Sequence, residues 1–151
     1  MNQTRLARCR RKAWHWLVGV VLCVFLCGCG SGGPYPVDGR VVWKDGSPAT
    51  ELAGSQVVFD LPEKQTSARG IVQADGTFRL ATTKPNDGAL AGTYKVVVIE
   101  TRKPLGGPDS DAIAPGVMDV RFYDPATSGL RATVKPGTNK VTLTVERARR
   151  R

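Results

Sequence analysis

The chain has 151 residues, 41% of them hydrophobic, with 17 glycines, 10 prolines and 22 Lys+Arg against 13 Asp+Glu, for a net charge of +9. That length suits one domain of ordinary size with a short appendage. It excludes a doubly wound dinucleotide fold with a second domain, and it is far too short for a (β/α)₈ barrel. Four cysteines on a basic chain suggest a disulfide-bonded nucleic-acid binder. The positions of those residues remove both ideas.

Arg5, Arg8, Arg10, Arg11 and Lys12 open the chain without a single acid, and Leu17 to Leu26 is a ten-residue uncharged run. A helix that spans a bilayer core needs about 20 apolar residues, so the run is short for a permanent anchor. A basic region, an apolar region and small residues after it are the parts of a secretory signal peptide. The run ends in Leu26-Cys27-Gly28-Cys29, which resembles the lipobox of bacterial lipoproteins. Cys27 is an uncommon but small enough occupant of the second position. Cys23 and Cys27 each follow a leucine, too large for the residue before a cleavage site, which leaves Cys29 as the candidate.

The resemblance implies a diacylglyceryl thioether on Cys29, cleavage before it and acylation of the new N-terminus. Two or more acyl chains anchor a protein stably, whereas one does not. An uncleaved signal anchor and an ordinary signal peptide cleaved elsewhere are the competing readings. Gly30 after the modified cysteine implies, by the enterobacterial sorting rule, an outer-membrane lipoprotein facing the periplasm or the exterior. The expected organisation is a signal peptide over 1–28, a lipidated cysteine and tether over 29–36, a folded body over 37–146 and a basic tail over 147–151.

Cys9, Cys23, Cys27 and Cys29 are all the cysteines, and His15 is the only histidine. A chain starting at Cys29 therefore has no disulfide framework and no Cys-rich zinc site. It also lacks the usual general base and nucleophile–base pair. Ser-His-Asp hydrolases, Cys proteases and zinc enzymes are excluded, no cofactor is expected, and catalysis could rest only on carboxylates or lysine.

Gly30 to Pro36 reads as a flexible tether. Asp38-Gly39, Asp45-Gly46, Asp75-Gly76 and Asp87-Gly88 follow, each a dipeptide suited to the positive φ angles of tight turns. Alternation predicts strands over 37–43, 56–61, 68–73, 77–80, 93–100, 117–123, 130–135 and 140–145. Tyr94 to Ile99 is almost continuously apolar, as in a central strand covered on both sides along part of its length. No segment after the tether shows a helical stripe over three turns. The pattern is that of an all-β sandwich of about seven strands. Its expected core is Val41, Trp43, Val57, Phe59, Phe78, Leu80, Tyr94, Val96, Val98, Leu130, Val134, Val141, Leu143 and Val145.

Gln73-Ala74-Asp75-Gly76-Thr77-Phe78-Arg79-Leu80 followed by Ala91-Gly92-Thr93-Tyr94-Lys95-Val96 resembles the carboxypeptidase regulatory-like domains of the transthyretin-like class. Their pattern is Asp-Gly-x-Phe on one strand and Gly-x-Tyr leading into the next. Val37-Asp38-Gly39-Arg40-Val41 and Val57-Val58-Phe59 match their first two strands. Phe122-Tyr123-Asp124-Pro125 and Val134-Lys135-Pro136-Gly137 are similar to small lipoproteins abundant in planctomycete genomes. The resemblance spans about 36–146 and implies a transthyretin-like (Ig-like) sandwich. It carries no catalytic residue across, because its motifs have structural reasons. Tyr94 is expected to bond back to the backbone, as in a tyrosine corner.

Among the aromatics, Tyr35, Trp43 and Tyr123 are the candidates for a ligand surface; the others fall on inward positions. Lys103 to Gly116 is the longest stretch without strand character, and such loops are often functional or disordered. Its Asp109 and Asp111 offer too few oxygens for a calcium loop. Asp124, Thr127 and Ser128 read as a capped turn. The Arg147–Arg151 tail reads as solvated or as a contact to an anionic envelope surface.

The reading is thus a membrane-anchored envelope lipoprotein with a non-catalytic sandwich in a structural or binding role. Its partners would be the membrane, through Cys29, and an envelope protein or polysaccharide, with no nucleic acid. A carbohydrate- or peptidoglycan-binding module is the alternative, and a carboxylate-dependent hydrolase a remote one. Of the +9, five charges go with the leader and three with the tail, counting Glu146, so the body from Cys29 to Val145 carries +1.

Overall fold

The computed structural model describes residues 32–102 and 113–149. The candidate signal peptide, Leu26, Cys27, Gly28 and Cys29, most of the 103–116 loop and the last two arginines lie outside the described residues. What is described is an all-β sandwich of seven strands in two sheets, without an α-helix among these residues. The strands are β1 (Val37–Trp43), β2 (Gln56–Leu61), β3 (Thr66–Ile71), β4 (Thr77–Arg79), β5 (Gly92–Ile99), β6 (Arg131–Val134) and β7 (Asn139–Val145). One sheet has the order β4-β1-β7 and the other β3-β2-β5-β6.

Period-two alternation sends one side of each strand inward. Val57, Phe59 and Leu61 of β2, Tyr94, Val96 and Val98 of β5, and Val41 and Trp43 of β1 are all buried. Burying each large apolar side chain contributes about 1.5–3 kcal/mol. Phe59 sits at the centre, tilted against Phe78 at 6.0 Å and Tyr94 at 5.8 Å between centroids. Val97 is buried on the opposite face of β5, as expected of a strand covered on both sides, while Ile99 is exposed. The Tyr94 hydroxyl donates to the Leu90 carbonyl at 2.8 Å, the expected return bond. Burial pushes its phenol above the ordinary value.

Three expectations need correction. Residues 117–123 do not form a strand. Val117, Met118 and Asp119 run beside Glu146 to Ala148, and Val120–Tyr123 is a 3₁₀ turn. Asp119 causes the change, because its carboxylate accepts the Arg121 N–H and caps the turn in competition with a ladder. Asp38-Gly39 is not a turn but lies inside β1. There Gly39 makes room for Phe78, whose ring would stand 2.1 Å from a Cβ at that position. Leu130 and Val141 are only partly buried, whereas Leu52, Val72, Met118 and Phe122 belong to the core.

β1 and β7 pair in parallel, from Val37 opposite Asn139 to Trp43 opposite Val145. With β5 running antiparallel to β2, this register gives the sandwich two distinct ends. Tyr35 pairs with Ala89 at one end, beside the turns at 62–65, 82–88 and 135–138. The other end holds Trp43, the 45–54 segment, Glu100, residues 117–128 and Glu146 to Arg149.

Candidate functional site

The end away from the tether gathers most of the ion pairs among the described residues. Trp43 is buried at the end of β1, and its indole N–H donates to Glu51 Oε2 at 2.9 Å. Glu51 lies on the 3₁₀ turn Thr50–Leu52. The Arg147 guanidinium lies 4.3 Å from the centre of the Trp43 ring. It also donates to Glu51 Oε1 at 2.9 Å and to Asp45 Oδ2 at 3.4 Å. Beside it, Glu146 bridges Lys44 and Arg121, each at 3.0 Å. Arg147, which the sequence places in the basic tail, is therefore bound to the body.

The indole N–H and then Arg147 hold the Glu51 carboxyl down to about 2, against an ordinary 4.5. A depressed folded-state pKa contributes stability above the ordinary value that is lost as pH falls toward the lower one. Asp45, lowered first by Ser47 and less by Arg147, contributes less to this latch. In the chain from Cys29 onward Trp43 is the sole tryptophan. Its emission should change between about pH 4.5 and 2 as Arg147 leaves the ring. Glu51→Gln should remove most of that transition, measured by an acid titration of fluorescence.

A second group surrounds Tyr123. Its hydroxyl donates to Glu100 Oε2 at 2.6 Å, and the Val117 N–H donates to Glu100 Oε1 at 2.9 Å. Arg102 stands 5.3 Å from the ring centre. Burial, then the bond to Glu100, raises the Tyr123 phenol. Glu100 thus ties together the two flanks of the long loop, whose Asp109 and Asp111 lie outside the described residues.

Tyr35, Trp43 and Tyr123 do not share a surface. Tyr35 and Trp43 flank opposite ends of the seven-residue β1, and Trp43 lies beneath Arg147. Tyr35 and Tyr123 are half-buried. Sequence reasoning missed the pairing of Trp43 with Glu51 and Arg147, because the latter two stand 96 positions apart and no local signal joins them.

Asp124 and Ser128 form the expected turn. The Ser128 N–H donates to the Asp124 carbonyl at 2.8 Å, and its buried hydroxyl donates to the Val96 carbonyl at 2.7 Å. A bond to a backbone carbonyl holds a strand in place and does nothing to raise nucleophilicity. A cleft of about 580 Å³ opens between β3 and β4, where Gln56, Arg69, Gln73, Arg79 and Asn86 contribute its polar side. Guanidinium and amide groups there can donate to anions and hydroxyls. Among the described residues no carboxylate lines this cleft.

No family model matches the chain, and no curated protein matches it. The chain is similar to the crystal structure of a DUF3823 family protein from Parabacteroides merdae ATCC 43184, with 19% identity and a TM-score of 0.36. The match covers 76% of this chain and 46% of that one, so the chain spans about half the length of that neighbour.

Proposed function

We propose that this protein is an envelope lipoprotein, held to a membrane by acyl chains on Cys29, whose sandwich has a structural or partner-binding role without bond chemistry. The observation that carries the reading is Leu26-Cys27-Gly28-Cys29 at the end of a ten-residue apolar run behind five cations. Its basic leader and short apolar run suit export rather than a permanent span. The sandwich then displays loops and sheet edges on the periplasmic or outer side of an outer membrane.

The carboxypeptidase regulatory-like, transthyretin-like scaffold is supported by what its two motifs do. Asp75 accepts the Thr77 N–H at 2.9 Å and its hydroxyl at 2.7 Å, shaping the turn ahead of Phe78. Gly92 passes close to Leu61, and Tyr94 bonds back to Leu90. The occupation of the acids supports the reading over the carboxylate-dependent hydrolase. Asp45, Asp75 and Asp87 accept turn amides, and Glu51 and Glu146 hold cations. Paired carboxylates for glycosidase-like work need about 5–10 Å of open separation across a substrate, and these groups are committed to neighbours instead.

The test is Cys29→Ser expressed in a lipoprotein-processing host. The wild-type chain should incorporate labelled palmitate and accumulate as a precursor only under globomycin, whereas the variant should take up no palmitate and show no globomycin-dependent change in processing. Continued globomycin-sensitive processing of Cys29→Ser would overturn the assignment.

A further inference from the structure

The tether end of the sandwich differs in charge from the opposite end. Lys64, Lys84, Lys135 and Lys140 stand on the turns and strand starts that surround Tyr35. Their acidic neighbours are Asp38, opposite Lys140 across β1 and β7, Asp60 near the end of β2, Glu63 and Asp87. Asp87 is occupied locally, accepting the backbone N–H groups of Thr82, Thr83 and Lys84 at 2.6, 3.0 and 2.8 Å. Lys64 donates to the Ala91 carbonyl, which fixes its position without neutralising it. Among the described residues, none of the four lysines takes part in an ion pair, whereas four of the five ion pairs lie at the opposite end. The fifth, Arg79 with Asp38, is internally neutral.

Chain length decides what this end faces. Tyr35 is pinned by two backbone bonds to Ala89, at 2.7 and 3.0 Å. Only six residue steps separate it from Cys29, a reach of at most about 20 Å when fully extended. Any shorter conformation brings the lysines toward a Debye length of the headgroups, about 8 Å at physiological ionic strength. We infer that the tether end docks on an anionic lipid surface through Lys64, Lys84, Lys135 and Lys140, turning the Trp43–Arg147 end outward. This rests on the lipid anchor proposed above. Electrostatic attraction would then fix the orientation of a body that the tether alone leaves free to tumble.

The test is amine footprinting of the full processed chain, inserted in vesicles of phosphatidylcholine alone or with phosphatidylglycerol. Flotation in 0.5 M salt, where surface electrostatics is screened, reports the acyl anchor independently. In anionic vesicles the four lysines should be acetylated several-fold more slowly than in neutral ones, with the protection lost on adding salt. Lys44, at the opposite end, should react equally in both. Equal reactivity of the four lysines in both vesicles, with the chain still floating in high salt, would overturn the docking and leave the anchor standing. A chain that fails to float in high salt would overturn the anchor and the docking with it.

Discussion

Phe59→Ala is expected to destabilise the sandwich by about 4 kcal/mol, since truncating a fully buried phenylalanine costs about 3–5 kcal/mol. The ring is wholly inaccessible, stands on the central part of β2 and meets both Phe78 and Tyr94. It therefore joins the two sheets: Phe78 belongs to the β4-β1-β7 sheet, and Tyr94 to the other. Each tilted aromatic contact adds about 0.5–1.5 kcal/mol beyond area burial. A domain of this size has about 5–15 kcal/mol of stability in all. In urea, with a slope of about 2 kcal/mol/M, the midpoint should fall by about 2 M at unchanged slope. Phe59→Leu keeps much of the volume and loses the ring geometry, so its cost should be nearer 1.5 kcal/mol. A Phe59→Leu midpoint equal to that of the wild type would show that the aromatic contacts contribute nothing beyond volume.

What was legible before the structure was the part governed by local alternation. β1 and β2 begin and end at the residues that the pattern assigns, and β3, β4, β5, β6 and β7 differ by one or two positions. Phe59, Phe78 and Tyr94 stand out because a large aromatic on an alternating strand has one face to enter. The misreadings have specific causes. At 117–123 the apolar spacing mimics a strand, but Asp119 caps a 3₁₀ turn and sends Phe122 inward from it. Asp38-Gly39 carries the composition of a turn, yet its glycine answers to a ring 39 positions away. Neither fact exists until the sheet is assembled.

The polar end shows the same division more sharply. Trp43 was legible as a notable side chain, and Arg147 as one of a cluster of cations. Their stacking, and the carboxylate of Glu51 bonding both, depend on β1 and β7 lying parallel. Parallel neighbours are first and last in the chain here, and pairing between strands so distant in sequence leaves no periodic trace. A charge run at a chain end is ordinarily solvated. This one is divided, because Met118 pairs with Arg147 and the Ala148 N–H donates to Val117.

The three Asp-Gly pairs that do form turns make a graded experiment, with the largest backbone effect expected at Gly88. Gly46, Gly76 and Gly88 have φ of 84°, 80° and 90°, so replacing each by alanine imposes nearly the same left-handed strain of about 1–2 kcal/mol. Each replacement also removes about 0.4–1 kcal/mol of unfolded-chain entropy, again alike at the three sites. Only crowding differs. A Cβ at Gly46 would meet nothing within 4 Å, one at Gly76 would meet the Val41 carbonyl oxygen at 3.1 Å, and one at Gly88 would fall 1.8 Å from the Tyr35 carbonyl oxygen. That oxygen accepts the Ala89 N–H, so relieving the clash sacrifices two backbone bonds that pin the tether, at about 0.5–1.5 kcal/mol each. Expected costs are about 0.5 kcal/mol for Gly46→Ala, 1–2 for Gly76→Ala and 3 or more for Gly88→Ala, read from urea midpoints. Gly88→Ala should also hasten proteolysis at Tyr35 under native conditions, because local opening of that bridge frees the segment. Equal costs at the three glycines would mean that Tyr35 is not held against Ala89, and the short reach assumed for the proposed docking would go with it.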